Sequence, residues 1–98
     1  MSEAVVRFAR VRVTDAWHTL GKEAQDALIA QVQACLDTAG GKRIVICDAR
    51  WASEDWLAFM VEEFPTVDAL QAHTSRLNDL GWYRYAQAET MLGTHFVG

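Results

Sequence analysis

One acid, one base and two guanidinium groups, set among aromatic residues, are the parts of this chain from which chemistry could be built. Asp48 falls in the run KRIVICDAR, where alternation otherwise predicts plain core. Burial would raise its pKa and a neighbouring arginine would lower it, and either environment makes it a candidate general base. His73 borders the apolar stripe of a helical segment and is a candidate proton shuttle near neutral pH. Arg10 and Arg12 share one face of the strand VVRFARVRV with Phe8. A guanidinium stays charged and donates bidentately, so Arg10 suits a carboxylate, phenolate or enolate, with Arg12 nearer the strand end. Trp56, Met60, Trp82, Tyr83 and Tyr85 would hold a flat aromatic ligand, with a tyrosine hydroxyl as donor. Each has a plainer role. Arg10 can pair with Asp48 or Glu62, Asp48 with Arg50, and His73 can be a satisfied half-buried residue. Trp56 and Met60 can be interface packing, and Trp17 and Trp51, in connections, read as packing lids.

The chain that must position these residues has 98 of them, enough for a single domain spanning residues 1–98 with one modest core. A formal net charge of −4 argues against a nucleic-acid partner, which needs a basic stripe. No apolar run approaches the roughly 20 residues of a membrane span, and MSEAVVRFAR lacks the apolar core of a secretory signal. Cys35 and Cys47 stand in no metal or redox spacing, so reduced thiols in the cytoplasm are expected. The histidines have no metal-ligand spacing, and neither common nucleotide-binding loop occurs, so no metal or nucleotide cofactor is expected. An RNA-recognition domain would need basic–aromatic signatures where this chain has WLAFMVEE.

Val5–Val13 reads as a strand, with Ala9, Val11 and Val13 on one face and Val6, Phe8, Arg10 and Arg12 on the other. Residues 16–20 suggest a helical turn. Lys22–Ala39 is a helix with an apolar stripe of Ala24, Leu28, Val32, Cys35, Leu36 and Ala39, closed by Gly40-Gly41. Arg43–Arg50 and a segment from Asp55 or Trp56 to Glu63 read as a hairpin with a short loop. Pro65 ends that strand, Thr66 caps a helix running to Asp79 or Leu80, Gly81 stops it, and a last strand covers Ala88–Val97.

Strand, helix, strand, strand, helix, strand is the order of the ferredoxin-like α+β sandwich, a four-stranded antiparallel sheet with both helices on one face. If Ala9-Val11-Val13, Val45-Cys47-Ala49 and Leu57-Phe59-Val61 face the helices, the open face carries Val6, Phe8, Ile44, Ile46, Asp48, Trp56, Ala58 and Met60. An apolar face of that extent demands a partner, and a second copy is the simplest, so a homodimer through the open sheet face is expected.

The order of elements, the doubly apolar sheet and the chain length resemble the dimeric α/β-barrel superfamily. More narrowly, Thr14-Asp15-Ala16-Trp17 before a helix, Asp48-Ala49, Leu77-Asn78-Asp79 and Glu89 resemble the small darcynin-like family. The superfamily includes cofactor-independent quinone-forming monooxygenases, muconolactone isomerases, polyketide cyclases and haem-degrading enzymes. The resemblance implies a homodimeric enzyme acting on a hydrophobic, aromatic or polyketide-like molecule through an enolate or phenolate. On that reading Asp48 or His73 takes the proton and Arg10 steadies the anion. The alternatives are a non-catalytic ligand-binding or dimerisation module, and a haem-binding relative with His73 as axial ligand. Strand 1 lacks the asparagine of the haem-degrading members.

Overall fold

Alternating β-branched and aromatic residues open the chain as β1 (Val5–Val13), which becomes an inner strand of the sheet. The computed structural model describes residues 3–96. After β1 come a short α1 (Asp15–Thr19), the long α2 (Lys22–Thr38), β2 (Lys42–Asp48), β3 (Ala58–Phe64), α3 (Val67–Asp79), a single 3₁₀ turn (Trp82–Arg84) and β4 (Ala86–Gly93). The four strands lie in the order β2-β3-β1-β4, all neighbours antiparallel. This is the ferredoxin-like βαββαβ fold expected from the order of elements. The last strand ends at Gly93, earlier than expected, and Val97 lies outside the described residues.

Local chemistry sets the boundaries. Thr66 caps α3, its hydroxyl accepting a hydrogen bond from the Ala69 amide at 3.0 Å. Gly40 and Gly81, with φ of +72° and +75°, take the left-handed conformation that lets α2 and α3 end abruptly. The hairpin loop is longer than expected: β3 starts at Ala58, and residues 49–57 form the connection.

The core is small. Val5, Leu36, Phe64 and Leu70 pack together with Ala39 against them, joining the first half of β1 and the end of β3 to α2 and α3.

Strand pairing corrects the expected faces of two strands. Val5, Arg7, Ala9 and Val11 lie opposite Phe64, Glu62, Met60 and Ala58, and these residues face the helices. Leu57, Phe59 and Val61 therefore belong with the open face, and Met60 and Ala58 with the helix face. In β2 a bulge at Ile44 lets both Arg43, opposite Glu62, and Ile46, opposite Met60, fall on the helix side. Asp48, opposite Ala58, goes with them, while Val45 and Cys47 go to the open face. The open face stays apolar after the exchange. Phe8, Val45, Phe59 and Met91 are all exposed there, and Phe8 and Phe59 pack with ring centroids 6.1 Å apart. No helix among the described residues is long and apolar enough to cross a membrane.

Candidate functional site between the helices and the sheet

A glutamate is the most deeply buried charge among the described residues. Glu62 is 2 % exposed, and its two oxygens are shared between two arginines. Arg7 Nη1 donates to Oε1 at 2.7 Å and Arg43 Nη2 to Oε2 at 3.3 Å. Antiparallel register dictates the cluster, since Arg7 on β1 and Arg43 on β2 both lie opposite Glu62 on β3. Arg43 also donates to Gln33 Oε1 of α2 at 2.9 Å, and its Nε has no partner among the described residues. Burying a carboxylate is costly unless it is paired on every side, and two guanidinium groups supply that pairing.

His73 of α3 is 2 % exposed and lies against Phe64, with ring centroids 5.2 Å apart. Burial is the main cause that lowers its pKa, with Glu62 and a hydrogen bond to the Cys35 backbone pulling upward and Arg7 and Arg43 pulling down. The ring is therefore neutral at pH 7. Its Nδ1 has no hydrogen-bond partner among the described residues.

Arg7, Arg43, Glu62 and His73 line one cavity of about 120 Å³ between the helices and the sheet, whose other walls include Met60, Trp82 and Tyr83. A wider groove of about 740 Å³ runs along α3 and β4, lined by Leu70, Thr74, Asn78 and Leu92 among others. Arg7 and Tyr83 border both spaces. Burial raises the pKa of the Tyr83 hydroxyl, with Arg7 and Thr74 pulling the other way, so it remains a protonated donor. Trp82 is set edge-on to Trp17, centroids 6.1 Å apart. The small space alone falls below the ~300 Å³ at which ligand pockets begin, and the groove falls within that range.

Four of the residues singled out in the sequence thus meet at this cavity: His73, Met60, Trp82 and Tyr83. Four others gather on the open face. Phe8 packs on Phe59, and the guanidinium groups of Arg10 and Arg12 lie 4.3 Å and 5.1 Å from the Trp56 ring centroid. Arg10 is ion-paired with Glu89, and Arg12 donates to Gln87 at 3.2 Å. Both arginines thus lie on the open face, where the sequence pattern puts them, each with a partner on β4. Trp56 itself precedes β3, its amide donating to Ser53 Oγ at 3.1 Å.

Asp48 requires the clearest correction. It is exposed on the edge strand and is not desolvated by the open face. Its carboxylate accepts from the Arg50 amide at 2.9 Å and from the Arg50 side chain at 3.0 Å and 2.8 Å. Those bonds lower its pKa to about 2, which makes it a poor proton acceptor. Tyr85 lines neither space and lies beside Arg84. Trp51 is 87 % exposed at the loop tip and so covers nothing. It borders an open hollow of about 790 Å³ under the loop 49–57, none of whose lining side chains is buried.

Arg7, Arg43 and Glu62 were not singled out in the sequence, though one signal was present. Arg7 shares the parity of Ala9, Val11 and Val13, and Glu62 that of Met60 and Phe64, so both charges interrupt helix-facing series. For the haem alternative, His73 lines the small cavity and is not among the residues lining the wider groove. Among the described residues no group of three His, Cys, Asp or Glu side chains could hold a metal ion.

No protein-family model and no curated protein sequence matches this chain. Solved structures share its fold. A variant of chlorite dismutase from Candidatus Nitrospira defluvii superposes with a TM-score of 0.77 at 15 % identity over 99 % of this chain. The chain spans 42 % of that protein, less than half its length. SnoaB, a cofactor-independent oxygenase from Streptomyces nogalater, matches with a TM-score of 0.54 and 15 % identity over 99 % of this chain and 97 % of its own. A dimeric protein of unknown function and ferredoxin-like fold from Bacteroides fragilis matches with a TM-score of 0.53 and 11 % identity, covering 94 % of this chain and 96 % of that one.

Proposed function

We propose that this protein is a small homodimeric enzyme that acts, without metal or nucleotide, on a hydrophobic aromatic or polyketide-like molecule through an enolate or phenolate. The observation that carries the reading is a neutral, buried His73 that lines a cavity with Arg7 and Tyr83 and whose Nδ1 has no partner among the described residues. An imidazole in that state accepts a proton from an activated C–H or O–H of a ligand. The anion left behind meets the Tyr83 hydroxyl as donor and the positive charge of the two arginines. The apolar walls exclude water and hold the ring system. Its anion then reacts with dioxygen or rearranges by isomerisation or cyclisation.

The likeness of fold to SnoaB agrees with this class of reaction, and the dimeric Bacteroides fragilis protein agrees with the pairing of two copies through the exposed apolar sheet face. The darcynin-like resemblance of Thr14-Asp15-Ala16-Trp17 and Leu77-Asn78-Asp79 belongs to the same proposal. A cytoplasmic location follows from the two unpaired cysteines as part of it.

The test is turnover of a panel of hydroxylated polycyclic aromatics and enolisable aromatic ketones, followed by oxygen uptake and product spectra. Turnover of a panel member should fall by about 10²- to 10⁴-fold in His73→Gln, the range of a lost general base. Undiminished turnover in that variant, or none by the parent protein across the panel, would sink the proposal.

A further inference from the structure

The side chains around the cavity and groove carry unequal charge. Two guanidinium groups, Arg7 and Arg43, face a single carboxylate, Glu62, and no other acid lines either space. His73 contributes none at neutral pH. An unbalanced cation beside an apolar groove is costly, and a ligand that brings one negative charge removes the cost.

The position of the imbalance is also defined. Among the described residues Arg7 makes its side-chain hydrogen bond through Nη1 alone, to Glu62, although a guanidinium has five N–H groups. Arg7 is the one cation lining the groove, and the groove wall beside it is mostly apolar or neutral: Leu70, Thr74, Asn78, Tyr83 and Leu92. Arg43, which lines the cavity, has in its Nε–H a second donor without an acceptor among the described residues.

We infer that the groove between α3 and β4 takes an aromatic monocarboxylic acid, its carboxylate on the N–H groups of Arg7 that Glu62 leaves unused and its ring body along α3. The inference rests on the proposed ligand site and names the class of molecule it holds. The acid group anchors the substrate on Arg7, at the mouth of the cavity that His73 lines. Neutral aromatics of the same shape lack the anchor.

Titration of ¹⁵N-labelled protein with 2-naphthoate and with 2-naphthamide, equal in shape and different in charge, tests this. The acid should bind at least about tenfold more tightly than the amide, the gain of one charge-assisted bidentate contact. Amide shifts should centre on Thr74, Asn78 and Tyr83. Arg7→Lys keeps the charge and loses the fork, so it should erase most of that preference. Because Arg7 also holds Glu62, Ser75→Asp provides a second variant. Ser75 is exposed on the groove rim, and a carboxylate there should weaken naphthoate several-fold while leaving naphthamide unchanged. Equal binding of acid and amide in the groove overturns this inference and leaves the proposed site standing. Naphthoate shifts centred on Arg10 and Arg12 also overturn it. Failure of both compounds to bind the groove overturns the inference and the proposed site together.

Discussion

Arg7 and Glu62 lie directly opposite each other on β1 and β3, joined at 2.7 Å, and Arg43 completes the pair from β2 on the other side. Three neighbouring strands therefore contribute one charge each to a row that runs across the sheet beneath α3. That row ties the packing of the molecule to its candidate site, because the carboxylate that holds the two arginines lines the same cavity as His73.

Glu62→Gln should be costly. Removing the carboxylate leaves two largely buried guanidinium groups without a counter-charge, and breaking a buried pair from one side costs about 3–5 kcal/mol. Partial exposure of Arg43 places the expected loss near the lower end, about 3 kcal/mol. Urea unfolding measures it, and a loss under about 0.5 kcal/mol, ordinary for a surface change, would contradict the description of the row.

His73 should make stability depend on pH in a defined window. Its folded pKa is depressed below the ordinary 6.5. The unfolded chain thus binds a proton first as pH falls, and stability present above pH 6.5 should decline from there to the folded pKa, then level off. Burial is the main cause of the lowered pKa, with Arg7 and Arg43 acting in the same direction and Glu62 and the Cys35 backbone opposing it. Thermal melts between pH 7.5 and 5 should show the decline in the parent and a flatter profile in His73→Gln.

Gly41→Ala should destabilise by about 1–3 kcal/mol, the usual cost of overpacking. A Cβ at Gly41 would stand 2.9 Å from Phe64 Cε1 and closer still to Leu36, both in the small core. Gly21→Ala meets no neighbouring atom and serves as the control.

Phe59→Arg should convert the proposed dimer to monomer. Phe59 sits on β3 in the apolar open face, beside Phe8, and a buried unpaired guanidinium would oppose closure of two such faces. Sedimentation velocity at micromolar concentration should show the parent as a dimer and the variant as a monomer. A monomeric parent would end the pairing proposal.

Asp48→Asn should leave turnover of any substrate unchanged. The carboxylate is exposed and held by Arg50, outside the cavity around His73. Stability should change by no more than about 0.5 kcal/mol, as for other surface pairs.

Much of the fold was legible because its signals are local. Gly40 and Gly81 stop the helices, Thr66 starts one, and β1 alternates cleanly. The facing of β2 and β3 was not legible from the pattern alone. Both strands are apolar on both sides, so alternation in Ile44-Val45-Ile46-Cys47 and Leu57-Ala58-Phe59-Met60 has no preferred phase. The phase is decided by long-range pairing with β1 and by the bulge at Ile44. His73, Trp82 and Tyr83, which line one cavity, could be singled out because helix stripe and aromatic clustering are read within a few residues. Arg7 and Glu62 were missed because charge in a strand suggests a solvated face until its partner, 55 residues away, is known.

The bulge at Ile44 divides β2 into a segment ending at Arg43, which serves the charged row, and a segment from Val45 onward, which serves the sheet faces. Because Arg43 and Val45 already lie opposite the consecutive residues Glu62 and Val61, loss of Ile44 would close the ladder and keep both pairings. Deletion of Ile44 should therefore leave the Arg43–Glu62 and Val45–Val61 pairings in place. A β2 shortened by that one residue would keep both the buried acid and the apolar face.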